Sequence, residues 1–168
     1  MKYETEANLR SAFSGESQAN RRYLFFAAKA EEEGYPQIAR MFRAIAEAET
    51  VHALNHLNTM GGVGTIKDSL LAGATGEHYE FTRVYPPFIQ QAEDEKQERA
   101  STTFQHAEKV ERVHHQIFEK ALEAVKKGQH IEDQPYYVCQ VCGNTIGGQP
   151  PDKCLVCGAA KSKFRLIE

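Results

Sequence analysis

The chain has 168 residues, a formal net charge of −3 and 41% hydrophobic residues, which is typical of a globular protein with one domain or with one domain and a small appendage. The charge balance, and the lack of a basic run or a long apolar stretch in the sequence, argue against a nucleic-acid-binding or membrane protein. The segment MKYETEANLR contains two glutamates and lacks the apolar region of a secretory signal, so we expect a cytoplasmic protein.

Four helical segments are predicted in the first three quarters of the chain. They cover residues 4–33, 36 to about 60, about 69 onward, and about 95–127. Gly34 and Gly128 supply helix stops, and the prolines at positions 86 and 87 predict a kink or break in the third helix because proline lacks an N–H. Short connections, and one longer crossover that starts at the GGVG segment (61–64), predict a four-helix bundle.

A small second domain is predicted at the C-terminal end. The segment HIEDQP (130–135) has the composition of a linker, and the residues after it are turn-rich and β-like. Thirty-odd residues bury too little apolar surface to fold alone, so we expect a metal to stabilise them. The sequence therefore predicts a mainly α protein with a helical domain at 1–132 and a small β-rich metal-binding domain at 133–168.

Ionisable residues interrupt the apolar stripe of every predicted helix. Steps of three and four residues place the following positions on one face of the second helix and one face of the fourth: Ile38, Phe42, Ile45, Glu49 and His52, and Phe104, Ala107, Glu111, His114 and Phe118. The first and third helices carry Glu16, Glu77 and Glu80 on the corresponding faces. All four helices thus present carboxylates at mid-length on the face that is expected to be buried.

A metal centre explains these buried carboxylates better than the alternative of buried ion pairs. The ExxH spacing is weak evidence by itself, because so short a motif recurs by chance. Converging carboxylates, however, are costly to bury unless cations neutralise them, and Glu and His three residues apart on a helix can bind one ion together. The pattern occurs twice, which predicts a symmetric set of six ligands plus one extra glutamate, Glu80. The six are Glu16, Glu49, His52, Glu77, Glu111 and His114.

Two neighbouring histidines and two tyrosines need separate interpretation. His114 shares the stripe with Glu111, whereas His115 is about 100° further round the helix, so we predict His114 and not His115 as a ligand. Tyr23 and Tyr85 fit two roles equally well, as ordinary core residues or as hydrogen-bond partners of the metal site.

The four cysteines form a second candidate metal site. They occur as CQVCG and CLVCG, with Cys139 and Cys142 in the first pair and Cys154 and Cys157 in the second. A glycine after each pair allows the tight turn of a metal knuckle. Four thiolates favour tetrahedral zinc or iron, and the spacing does not distinguish a structural zinc ion from a one-electron iron carrier.

The whole chain resembles the rubrerythrin family. The motifs GES, AEAETVHALNH, GEHYEFTRVYP, AEKVERVHH and the paired CxxCG knuckles occur here in the order found in that family. The resemblance implies a ferritin-like four-helix bundle with two non-haem iron ions and a rubredoxin-like domain with one Fe(S)₄ centre. It also implies that Glu49 and Glu111 bridge the two irons, and that His52 replaces Glu80 on one iron when the centre is reduced.

The resemblance further implies a peroxidase that reduces hydrogen peroxide to water in oxidative-stress defence. Electrons would pass through the Fe(S)₄ centre from an external donor such as rubredoxin or an NADH-linked reductase. The small domain of one chain would lie near the di-iron site of its partner in a head-to-tail homodimer. The alternative is a ferritin-like iron-binding protein or ferroxidase whose four cysteines hold a structural zinc ion.

Overall fold

The computed structural model describes residues 2–168 and confirms a mainly α protein with a small C-terminal sheet. The helices are α1 (Tyr3–Glu32), α2 (Pro36–Thr59), α3 (Ile66–Tyr79), a π-helix (Glu80–Val84), α4 (Tyr85–Asp94) and α5 (Glu98–Lys126). The strands are β1 (Tyr136–Cys139), β2 (Thr145–Gly147) and β3 (Phe164–Ile167), and a 3₁₀ turn (Lys161–Lys163) precedes β3. No helix within residues 2–168 has the length and apolar character needed to cross a membrane.

The connection between α2 and α3 is shorter than the predicted crossover. It consists of residues 60–65, and Gly61 adopts a φ of 70° directly after the end of α2. The third helix also begins three residues before the predicted start near Ser69. The reason is a capping box, in which the Thr65 side chain accepts from the Asp68 N–H and the Asp68 carboxylate accepts from the Thr65 N–H.

The predicted break at the two prolines takes the form of a π-helix. The chain stays helical through Glu80–Val84, where the N–H of Tyr85 donates to the carbonyl of Glu80, five residues earlier. Pro86 and Pro87 then occupy the start of α4, where a missing N–H costs least. Single π-helical turns are frequent at functional sites, and this one begins at the extra glutamate, Glu80.

The structure divides into two compact units, the first ending at Gly64 and the second covering Thr65–Glu168. The sequence predicts a domain boundary after residue 132, where the amino-acid composition changes, and that boundary stays a prediction. In the first unit, α1 and α2 pack through small residues: Ala19, Ala27, Ala30, Ala39, Ala46 and Ala53 are buried. Asn20 of α1 donates to the Ala46 carbonyl (2.7 Å) and to the Thr50 hydroxyl (2.8 Å) of α2.

The predicted burial of the α2 stripe is wrong at two positions in this structure. The side chains of Ile38 and Ile45 are 44% and 40% exposed. A pair of helices can bury only the seam between them, and the alanines occupy that seam. Residues that face away from the seam need a further layer to cover them.

The second unit combines α3, the π-helix, α4 and α5 with the C-terminal sheet. Gly73 of α3 allows a close approach to α5, since a Cβ at this position would lie 3.0 Å from the Phe118 ring. Phe88 of α4 packs on Phe104 of α5, with ring centroids 5.6 Å apart. The antiparallel sheet has the order β2-β1-β3, and Val138 of β1 pairs with Thr145 of β2.

Candidate metal centres

Three residues of the second unit form a compact carboxylate–histidine cluster, called here the second triad: Glu77, Glu111 and His114. Glu77 projects from α3, and the other two lie one turn apart on α5. The Nδ1 atom of His114 is 2.8 Å from Glu111 Oε2 and 3.7 Å from Glu77 Oε1. Nδ1 is therefore the ring nitrogen that faces the carboxylates.

The second triad is electrostatically strained without a cation. Burial, followed by the charge of Glu111, raises the pKa of Glu77 to about 7, although His114 opposes this shift. The hydrogen bond to Glu111 raises the pKa of His114, while burial acts in the opposite direction. A bound metal ion would take the place of these protons, because the two carboxylates and the imidazole would then bind the metal directly.

The other ring nitrogen of His114 contacts the small C-terminal domain. His114 Nε2 lies 3.0 Å from Thr145 Oγ1, and the Thr145 hydroxyl donates to the carbonyl of Gly143 at 3.2 Å. Gly143 directly follows Cys142, so a short chain of hydrogen bonds links the second triad to a knuckle. The resemblance implied that this domain lies near the di-iron site of a partner chain, whereas this contact lies within one chain.

His115 has a separate role, as the helical phase predicted. It is not part of the second triad, and its Nδ1 lies 2.9 Å from the Ala74 carbonyl of α3. Its ring also packs against Phe81 and His78, with centroid distances of 5.6 and 5.3 Å. His115 therefore connects α5 to α3 beside the site.

The first unit carries a matching cluster, called here the first triad: Glu16, Glu49 and His52. Glu16 lies on α1, and the other two lie one turn apart on α2. His52 Nδ1 is 3.0 Å from Glu49 Oε2, which repeats the contact between His114 and Glu111. The His52 side chain is 54% exposed, however, against 26% for His114.

Glu80 and Tyr85 lie near the second triad without belonging to it. Within residues 2–168, Glu80 is outside the compact clusters, but burial and the charge of Glu111 raise its pKa. Burial, then the charges of Glu80 and Glu111, raise the pKa of Tyr85. Tyr23 of the first unit instead packs against Phe26 and Phe42, with centroids 6.3 and 6.1 Å away. The predicted site roles of both tyrosines stay predictions.

The four cysteine sulfurs are close together in the C-terminal domain. The Sγ atoms of Cys139 and Cys157 are 3.7 Å apart, and those of Cys142 and Cys154 are 3.6 Å apart. With metal–sulfur bonds of about 2.3 Å, a tetrahedral site has sulfur–sulfur edges of about 3.8 Å. The observed spacing therefore fits one tetrahedral metal ion.

The backbone of the two knuckles supports thiolate ligands. Burial acts to raise the pKa of Cys154, but the backbone N–H groups of Cys157 and Val156, followed by the side chains of Cys142 and Cys157, outweigh it and lower the pKa to about 7. The glycines after the knuckles, Gly143 and Gly158, have φ values of 85° and 74°, as the tight turns require. Such amide-to-sulfur hydrogen bonds favour charged sulfur and tune a bound metal.

Two residues of these sites were missed by the sequence interpretation, and both lie in CGNT (142–145). Asn144 is buried, and its Nδ2 donates to Cys154 Sγ at 3.7 Å. Thr145 contacts His114, as described above. The only signal in the sequence was that both residues follow a knuckle directly, and that signal cannot reveal a contact with a helix about thirty residues away.

Paired carboxylate–histidine clusters on a helical scaffold, together with a tetrahedral four-cysteine site, define a class of proteins. It is the class of ferritin-like dimetal carboxylate proteins that carry a rubredoxin-like domain. The family model described as rubrerythrin matches residues 7–122, and the model described as the rubrerythrin rubredoxin-like domain matches residues 137–165. The chain belongs to the rubrerythrin family.

Relatives along the full length agree with this assignment. Rubrerythrin-2 of Clostridium acetobutylicum is 34% identical, over 94% of this chain and 93% of the relative. Nigerythrin of Nitratidesulfovibrio vulgaris is 33% identical, over 95% of this chain and 85% of the relative. A solved nigerythrin described as fully reduced and all ferrous matches with a TM-score of 0.58 and 30% identity, over 97% of this chain and 86% of that chain.

Membership of this family establishes the general chemistry. Rubrerythrins have a di-iron site and a rubredoxin-like iron site, and the donor sets described above fit both. Carboxylates and imidazoles suit non-haem iron, and four thiolates suit a single iron ion. The chain is thus a di-iron oxidoreductase of oxidative-stress defence.

Proposed function

We propose that the protein is a peroxidase that reduces hydrogen peroxide to water, with electrons delivered through the four-cysteine site. The balance is H₂O₂ + 2 e⁻ + 2 H⁺ → 2 H₂O, so each turnover needs two electrons. The observation that carries this proposal is the contact between the four-cysteine domain and the candidate iron site, through Thr145 and His114. A four-cysteine domain with a purely structural role would not need that contact.

The residues proposed as ligands of the di-iron centre are those of the two triads and Glu80. Glu49 and Glu111 would bridge the irons, and His52 would replace Glu80 on one iron upon reduction. Support comes from the contrast between the histidines, since His52 is 54% exposed and its only side-chain partner found within residues 2–168 is Glu49. A loosely held imidazole suits a ligand that exchanges.

The irons would supply the electrons for cleavage of the O–O bond, and the protein side chains would hold and orient the metals. Hard carboxylate oxygens stabilise the ferric state, whereas neutral imidazole favours the ferrous state. The side chains of Glu77 and Glu111 are only 22% and 15% exposed, which limits the access of water to these two carboxylates. The proposed exchange of Glu80 for His52 would therefore tune the centre between its oxidised and reduced forms.

The proposed partners are hydrogen peroxide and an external electron donor, such as rubredoxin or an NADH-linked reductase. We also propose a head-to-tail homodimer. The apolar side chains exposed on α1 and α2, among them Phe25 and Met41, support an association that covers them. The cytoplasmic location stays a prediction.

The proposal is tested by reducing the iron-loaded protein without oxygen and adding one equivalent of hydrogen peroxide. We expect absorption of the ferric Fe(S)₄ centre to return much faster than after addition of dioxygen. Equal rates with the two oxidants would contradict the peroxidase assignment. If the isolated protein contains zinc at the cysteines and lacks the visible thiolate-to-iron absorption, the ferroxidase alternative with a zinc ribbon is favoured.

A further inference from the structure

We propose that the Thr145 hydroxyl holds the His114 ring in its metal-binding orientation and tautomer, so that metal binding at the four cysteines strengthens metal binding at the second triad. Thr145 is thus a positioning residue. This inference rests on the proposed role of the second triad as a metal site, and it adds a thermodynamic link between the two sites.

The first step concerns the direction of the hydrogen bonds. The Thr145 hydroxyl uses its only hydrogen to donate to the Gly143 carbonyl, at 3.2 Å. With the hydroxyl hydrogen on Gly143, the Thr145 oxygen accepts from His114 Nε2, which lies 3.0 Å away. With the proton on Nε2, the lone pair of a neutral imidazole lies on Nδ1, the nitrogen that faces Glu111 and Glu77.

The second step concerns what this arrangement does for a metal ligand. A metal-binding histidine almost always donates its other N–H to a protein acceptor, which fixes the ring and the tautomer. Loss of such an acceptor typically weakens metal binding about 10- to 100-fold. Here the Thr145 hydroxyl lies in the small domain and not in the bundle, and so does the Gly143 carbonyl, whose hydrogen bond also raises the pKa of His114. The positions of both acceptors therefore depend on the folding of that domain.

The third step concerns what holds Thr145 in place. Thr145 starts β2, pairs with Val138 of β1, and follows Cys142 by three residues. The sheet has only three short strands, of four, three and four residues. A domain of this size depends on its metal for a fixed structure. Removing metal from the cysteines should therefore release Thr145 from His114.

The consequence is coupling in both directions. If metal at the cysteines raises the affinity of the second triad, metal at the second triad must raise the affinity of the cysteines by the same factor. The first triad supplies an internal contrast, because the only side-chain hydrogen bond found for His52 in residues 2–168 is the one to Glu49.

The test uses Mn²⁺, a hard cation that favours carboxylates over thiolates. The full chain is prepared with one Zn²⁺ at the cysteines or free of metal, and Mn²⁺ binding is followed by electron paramagnetic resonance. For the wild-type chain we expect zinc to tighten Mn²⁺ binding about tenfold or more. In T145V the effect of zinc should be clearly smaller, because only the Gly143 carbonyl is then left as an acceptor, and in T145S it should remain.

The controls separate a local effect from a folding defect. Thr145→Val keeps the size and β-branching of the side chain, and retention of one Zn²⁺ by the variant shows that the domain is intact. In the protein loaded with zinc at every metal site, nitrogen-15 NMR should detect a slowly exchanging Nε2 proton of His114 in wild type and T145S, and a faster-exchanging one in T145V.

The outcomes distinguish this inference from the proposed function. If zinc-loaded T145V binds Mn²⁺ as tightly as T145S and keeps the protected Nε2 proton, the positioning role is wrong while the metal site stands. If the wild-type chain binds no Mn²⁺ at the second triad, the proposed iron site and this inference both fail.

Discussion

The two triads contain the same three residue types with nearly the same helical spacing, yet their surroundings differ. In the second triad, His114 is 26% exposed and has the carboxylates at one ring nitrogen and Thr145 at the other. In the first triad, His52 is 54% exposed and hydrogen-bonds to Glu49 alone among the side chains described. The difference teaches that an ExxH motif determines which way the donors point, whereas neighbouring elements determine how firmly they are held.

This contrast suggests a division of labour in the proposed centre. A firmly held histidine suits a permanent ligand, because its geometry is set before the metal binds. A loosely held histidine suits a ligand that moves between redox states. The extra glutamate, Glu80, lies at the start of the π-helix beside the firmly held triad. Three predictions follow from this contrast between the triads.

The largest effect is expected from His114→Ala. This change removes a metal ligand and its contact with Thr145, so Mn²⁺ binding at the second triad should weaken by more than the factor of about 100 that loss of an outer partner can cost. Electron paramagnetic resonance titration measures it. The matched control is His115→Ala, which should retain metal but lower the free energy of unfolding by about 1–3 kcal/mol, because the hydrogen bond to the Ala74 carbonyl and the packing on Phe81 are lost. Loss of metal in H115A instead would contradict the helical phase.

A smaller loss of affinity is expected from His52→Ala. Because the His52 ring is largely exposed, its removal takes away one donor without disturbing a prepared hydrogen-bond network. The Mn²⁺ dissociation constant should therefore rise, but clearly less than in H114A. Equal losses in the two variants, measured in parallel titrations, would mean that the contrast in exposure has no energetic consequence.

The smallest effect is a dependence of stability on pH in the metal-free protein. Glu77, with its pKa raised to about 7, keeps a proton in the folded state that the unfolded chain releases above about pH 4.5. Stability should therefore fall as the pH rises from about 4.5 to 7. The raised pKa of His114 acts in the same direction, because its stabilisation is present at low pH and is lost as the pH rises through the folded value.

This pH dependence can be measured by urea unfolding in the presence of a chelator. We expect E77Q to flatten the slope. Added metal should reverse it, since metal binding requires deprotonated ligands and releases protons. A metal-free protein whose urea midpoint rises between pH 5 and 7 would contradict the assignment of a half-buried carboxyl group with a raised pKa at Glu77.

The helical phase was predictable because periodicity is a local property. Steps of three and four residues put Glu111 and His114 on one face, and the structure brings these two side chains together. The same reasoning was wrong about Ile38 and Ile45, since the period identifies a face but not what covers it. The π-helix at Glu80 was anticipated only as a break, because prolines remove N–H donors without specifying how the chain adapts.

The sequence by itself determined the donor types, their positions on the helices and the four-cysteine knuckles, because each depends on residues within a few positions of one another. Only the tertiary structure decided that Thr145 meets His114, that Asn144 donates to Cys154, and that the two histidines differ in exposure. These properties depend on contacts between distant segments, and burial, tautomer and pKa are set by such contacts and not by the order of residues alone.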